Sequence, residues 1–141
     1  MKRKLMIIPL LICSAMLLNG CGNPENSNSE SEMIYVKSVS LYDTIVDIYA
    51  DPDAYIGKSY HMVGTLYPSE EDNGDKFYSI YAKPQSGGEG TGLELDWNDY
   101  NGFSDYDKVA VEGTVEKQKR VHHGVRNDYL VLKVSMLEKR D

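Results

Sequence analysis

The sequence predicts a mainly β domain, a small five-stranded barrel preceded by one N-terminal helix, set behind a targeting segment. Three observations lead there. One stretch near residue 45 repeats its apolar residues at helical spacing. The stretches after Lys58 alternate apolar and polar residues in steps of two, with loops rich in Gly, Pro, Asn and Asp between them. The 141 residues suffice for one domain.

The helix is expected over Leu41 to Ala50. Leu41, Ile45 and Ile48 recur at spacings of four and three. Ser40 suits an N-cap, and Asp43 completes a variant capping box. Asp51-Pro52 ends the run, because the residue before proline avoids the α region.

Five strands follow: Tyr60 to Tyr67, Phe77 to Lys83, Leu93 to Trp97, Lys108 to Lys117 and Tyr129 to Leu137. Leu93, Leu95 and Trp97 are expected to face the core, with Glu94 and Asp96 in water. Val109, Val111, Gly113 and Val115 form the inward set of the fourth strand, and Leu130, Leu132, Val134 and Met136 that of the fifth. Pro68 to Lys76 is an acidic loop, Asn98 to Asp107 a long polar connection, and Val121 to Asp128 a loop.

The first residues read as an address. Lys2, Arg3 and Lys4 precede an apolar run from Leu5 to Leu18. At 14 residues it is shorter than the ~20 that a membrane span needs, so it fits a signal peptide over 1–20. Leu18-Asn19-Gly20-Cys21 resembles the lipobox of bacterial prolipoproteins, in which the cysteine thiol takes the diacylglyceryl group. The resemblance implies lipidation at Cys21. Two acyl chains give stable attachment where one alone is marginal, so the mature chain is expected on the extracytoplasmic face of the cell membrane. Gly22 to Glu32 contains no apolar residue, and 21–37 is assigned to the lipidated cysteine and a disordered tether. Residues 38–141 hold the helix and barrel.

Removing Cys13 with the signal and Cys21 to lipid leaves no thiol for disulfides, thiol catalysis or zinc. Removing Lys2, Arg3 and Lys4 leaves 12 basic against 22 acidic residues, a net charge of −10. Such a domain is repelled by phosphate backbones.

Five strands with a long connection between the third and fourth match the order of an OB-fold barrel. Asp51-Pro52-Asp53-Ala54-Tyr55-Ile56-Gly57-Lys58, followed by Val63-Gly64-Thr65-Leu66, resembles the opening of bacterial OB-fold envelope proteins. Tyr106-Asp107-Lys108-Val109-Ala110-Val111-Glu112-Gly113-Thr114-Val115 resembles a strand that recurs in OB domains. The pattern resembles that of the group called tRNA_anti-like, over about residues 43–139. Tyr106 stands where similar strands carry glycine, so a different turn is expected before the fourth strand. Gly64 and Gly113 fit places where strands bend to close a small barrel.

No Gly-x-Ser-x-Gly, His-Glu-x-x-His or P-loop pattern occurs, which points away from an enzyme, although a hydrolase with an unrecognised site stays open. Glu70, Glu71, Asp72 and Asp75 do not fit an EF-hand, since Ser69 and Ile80 would occupy its first and last places. They read as a charged turn on Asn73-Gly74. His61, His122 and His123 lack converging metal spacing. No cofactor is expected.

Tyrosine is the unusual feature, with 11 against two phenylalanines and one tryptophan. OB-folds bind along their second and third strands, flanked by the loops between strands one and two and strands four and five. Tyr78 and Tyr81 on the second strand, with Arg120 and His122 in the last loop, are therefore the candidate ligand-binding residues. Lys117, Lys119, Arg120 and Arg126 form the basic cluster around them. The expected partner is an envelope protein, peptide or glycan; a nucleic acid is the alternative that charge opposes.

Overall fold

A computed structural model describes residues 31–141. The residues assigned above to a signal peptide, Cys21 and most of those assigned to the tether lie outside the described residues. The helix α1 spans Leu41–Ala50, as the periodicity requires. Leu41, Ile45 and Ile48 are fully buried in the barrel core, against β2, β3 and β4. The cap differs from expectation. Ser40 makes no side-chain capping bond, and Thr44 Oγ1 instead donates to its carbonyl at 2.9 Å.

Six strands form one sheet: β1 Met33–Tyr35, β2 Ser59–Glu70, β3 Lys76–Ala82, β4 Thr91–Asp96, β5 Lys108–His122 and β6 Val125–Lys139. β2 pairs with both β3 and β5, and β4 runs parallel to β6, so β2-β3-β4-β6-β5 closes into a barrel. This closed order, antiparallel but for β4–β6, is the OB-fold arrangement. β1 falls within the stretch assigned to the tether. It adds to β2 in parallel, with Ile34 opposite Tyr60, and orders the chain from Met33 onward.

Met62, Leu66, Ile80, Leu93, Val109, Val111, Val115 and Leu132 fill the interior. The expected phase of the fifth strand holds for its first half only. An irregularity between Glu112 and Gly113 passes over Ser135, so that Val134 opposes Gly113 while Met136 opposes Glu112. Skipping one residue exchanges the faces. Leu137 therefore packs on the core, and Met136 does not. A Cβ at Gly113 would lie 2.5 Å from the Lys133 carbonyl, which is why only glycine admits this close crossing. Trp97 also departs from expectation. It follows the end of β4, is only half-buried, and donates Nε1–H to the Asp99 carbonyl at 2.6 Å.

The stretch expected as a loop from Val121 to Asp128 is instead the tip of a long ribbon. β5 and β6 stay paired out to His122 and Val125. His123 and Gly124 alone make the turn, at φ 50 and 75. Positive φ at both central residues is what a two-residue hairpin needs to match strand twist.

Candidate functional site

Ile80 points into the core, so Phe77, Ser79 and Tyr81 stand on the outer face of β3. Beside them on β4, Leu93 and Leu95 are inward and Glu94 and Asp96 outward. This is the face on which OB barrels usually bind. Here the β5–β6 ribbon lies over one end of it.

Glu94 is 6% exposed, not the wet-face residue that its strand pattern predicts. Arg120, from the ribbon, sets Nη1 3.1 Å from Glu94 Oε1 and Nη2 2.8 Å from Asp96 Oδ1. Gln118 donates to Asp96 at 2.9 Å. That bond and the Arg120 charge hold the Asp96 carboxyl below its ordinary range, against the opposing effect of burial. Satisfaction is incomplete: Arg120 Nε and Glu94 Oε1 are buried without an aligned hydrogen bond among the described residues.

His122 lies deeper in the cluster. Its ring stacks on Phe77 at 4.1 Å and meets Tyr129 edge-on at 4.7 Å. Nδ1 contacts the Glu71 carboxylate, and Nε2 lies 3.0 Å from Glu94 Oε2. Burial disfavours charge on the ring, but the two carboxylates outweigh it and raise the imidazole above its usual value. Only the protonated ring can donate from both nitrogens. Glu71 accepts the His123 N–H at 2.7 Å, and His123 Nδ1 lies 2.9 Å from Asp72. The His123 amide and the His122 ring hold the Glu71 carboxyl below its ordinary range. The acidic turn after β2 and the tip of the ribbon are thus latched together. That turn is built on Asn73-Gly74, with Gly74 at φ 85 and the Asp75 N–H donating to Asn73 Oδ1 at 3.0 Å.

The four residues singled out from sequence are therefore not one platform. Arg120 and His122 come together, but over Glu94 and against Glu71. Tyr78 turns inward, tilted against Tyr100 at 4.4 Å, and donates to Asp105 at 2.9 Å. Burial first, then the Asp105 carboxylate, push its phenol up. Tyr81 stays on the outer face, beyond the ribbon. It stacks on Tyr67 at 4.5 Å, and its Oη accepts the Gly90 N–H at 3.1 Å. Glu71, Glu94 and Asp96 were missed as members of the cluster. The available signal was two acids alternating with two leucines on one short strand, opposite a late Arg-x-His.

No family model and no curated protein matches the chain. Among solved structures, a small single-stranded DNA-binding protein from Streptomyces coelicolor is similar over 60% of this chain and 94% of its own, at 14% identity and a TM-score of 0.40.

Proposed function

We propose that this chain is a lipid-anchored lipoprotein on the extracytoplasmic face of the membrane, acting as a non-enzymatic binding module of the cell envelope and related to the tRNA_anti-like OB-fold group. The observation that carries the binding reading is the split use of the β3–β4 face. Its carboxylates, Arg120 and His122 are tied to one another beneath the ribbon, whereas its tyrosine end is open to solvent. A group engaged in a closed ion-pair cluster holds structure in place; an exposed aromatic surface is what contacts a partner. The anchor rests on Leu18-Asn19-Gly20-Cys21 directly after the apolar run. Charge argues against nucleic acid, since Arg120 is spent on Glu94 and Asp96, and Lys119 pairs with Asp128 at 3.0 Å.

The test is expression of the full chain and of Cys21→Ala in a bacterium. Wild type should label with palmitate, fractionate with membranes and capture envelope material on crosslinking. Cys21→Ala should lose the label and either leave the membrane or accumulate as precursor. A wild-type N-terminus other than Cys21, found by mass spectrometry, would overturn the anchor. Capture of oligonucleotide in preference to envelope material would overturn the binding class.

A further inference from the structure

Three tyrosines meet on the outer face where β2 and β3 pass the start of β5. Tyr67 and Tyr81 are stacked, with ring centroids 4.5 Å apart. Tyr106 sets its ring edge-on to Tyr67 at 5.5 Å. With Thr65, Ala82 and Lys83 they line an open cavity of about 440 Å³, within the size range of small-ligand sites.

Two features mark this cluster as built for contact. The first is Tyr106, whose φ is 69. That backbone conformation favours glycine, and the Tyr106 N–H donates to the Leu66 carbonyl at 2.8 Å. A glycine would hold this backbone without conformational cost, whereas a bulky residue in the left-handed region is strained. The ring gains little burial in return, being 62% exposed. The second is the clamp on Tyr81. A Cβ at Gly90 would lie 2.3 Å from Tyr81 Oη, so glycine alone lets the loop amide reach the phenol and fix the ring.

The lining selects the ligand. Lys83 is its one charged residue, and a cation seated on the aromatic faces would meet like charge there. A purely apolar group would leave the Thr65 hydroxyl and the Lys83 ammonium unused. A pyranose ring presents C–H bonds to an aromatic face and hydroxyls at its edge, and a carboxylate substituent would meet Lys83. We propose that Tyr67, Tyr81 and Tyr106 form a site for an acidic sugar ring of the cell-wall glycan, with Lys83 as its charge partner. The proposal rests on the extracytoplasmic placement argued above and names the ligand of that binding module.

The mature lipoprotein in detergent should be titrated calorimetrically with the carboxylate-bearing N-acetylglucosamine–N-acetylmuramic acid disaccharide. Neutral chitobiose and tetramethylammonium are the comparison ligands. The expected order is the acidic disaccharide first, chitobiose several-fold weaker, and the cation last. Lys83→Met should remove the difference between the two sugars. Tyr106→Gly should weaken sugar binding by about tenfold or more while the melting temperature stays level or rises, because the strain is relieved. A structural tyrosine would give the reverse, a lower melting temperature with unchanged binding, and that would overturn the site. So would tighter binding of tetramethylammonium, or no heat from the acidic disaccharide with wild type. If palmitate labelling and envelope capture succeed while the sugar fails, this inference alone falls.

Discussion

Phe77 and Tyr81 stand four residues apart on the same face of β3, about 13 Å along the strand, yet their surroundings are opposite. At the Phe77 end the ribbon folds over, and His122, Arg120, Glu71, Glu94 and Asp96 answer one another. At the Tyr81 end the ribbon does not reach; Tyr67 and Tyr106 are exposed, and Tyr106 is held strained. One sheet face thus carries a polar cluster whose charges pair with one another and an open aromatic cluster. The lesson is that charge at a fold's usual binding place does not by itself mark a ligand site. What matters is whether the protein has already supplied the partner.

The core beneath both ends sets the energetic scale. Leu132 is fully buried and packs across from Val115, so Leu132→Ala should cost about 2–5 kcal/mol in chemical denaturation. A smaller loss follows for the covered end. Arg120→Met leaves Glu94 beneath the ribbon with His122 as its remaining cation and should cost about 2–3 kcal/mol, below the usual figure for a broken buried pair because that partner stays and Arg120 is 24% exposed. Adding Glu94→Leu should restore only part of that loss, since it removes the carboxylate left short of a cation but takes the acceptor from His122 Nε2. A single-variant cost under ~0.5 kcal/mol would show that the ribbon does not rely on this pair.

Much of the fold was legible because its signal is local. The period of Leu41, Ile45 and Ile48 marks α1 to the residue. Alternation in Val109, Val111 and Val115 gives the phase of β5. What stayed hidden is made by distant pairing. Glu116 to Arg120 is polar on both faces, so β5 continues there through backbone bonds to β6, with no sequence period to announce it. β1 is three residues long, too short for any period, and exists because β2 offers an edge. Glu94 looks solvent-facing on its own strand, and its cover comes from residues more than twenty positions later. The candidate site was half-legible for the same reason. Tyr81 was found from composition and strand position, but its companions Tyr67 and Tyr106 join it only through the β2–β3 register and a turn whose backbone geometry the sequence does not reveal.

Acidity should separate the two ends. The folded-state pKa of His122 is raised, so its contribution is full below the ordinary histidine value of 6.5 and lost as pH rises through the higher folded value. Glu71 is lowered, so its contribution is present above its ordinary 4.5 and lost as pH falls through the lower folded value. The latch is therefore firmest between these two ordinary values. The melting temperature should decline as pH rises above the ordinary histidine value of 6.5, and His122→Asn should flatten that slope. Hydrogen-exchange protection at the ribbon tip, measured relative to the intrinsic rate at each pH, should fall over the same interval, with the protection of the Tyr81 amide unchanged. Equal responses at Tyr81 and at the tip would mean that the two ends open as one.

The smallest effect is expected at Tyr67, and it tests the open end most directly. Its ring is 37% exposed and its chief partner is the stacked ring of Tyr81. An aromatic pair contributes about 0.5–1.5 kcal/mol beyond area burial, and partial exposure places this one low in that range. The backbone of β2 does not depend on the side chain, since Tyr67 pairs with Ser79 through the ladder whatever residue it carries. Tyr67→Ala should then cost no more than about 1 kcal/mol, a minor part of the loss from Arg120→Met, and should leave the pH slope of the latch unchanged. A loss comparable with that of Leu132→Ala would make the tyrosines part of the fold's support. The distinction between a closed, structural end and an open, contacting end would then disappear, because both would be holding the barrel together.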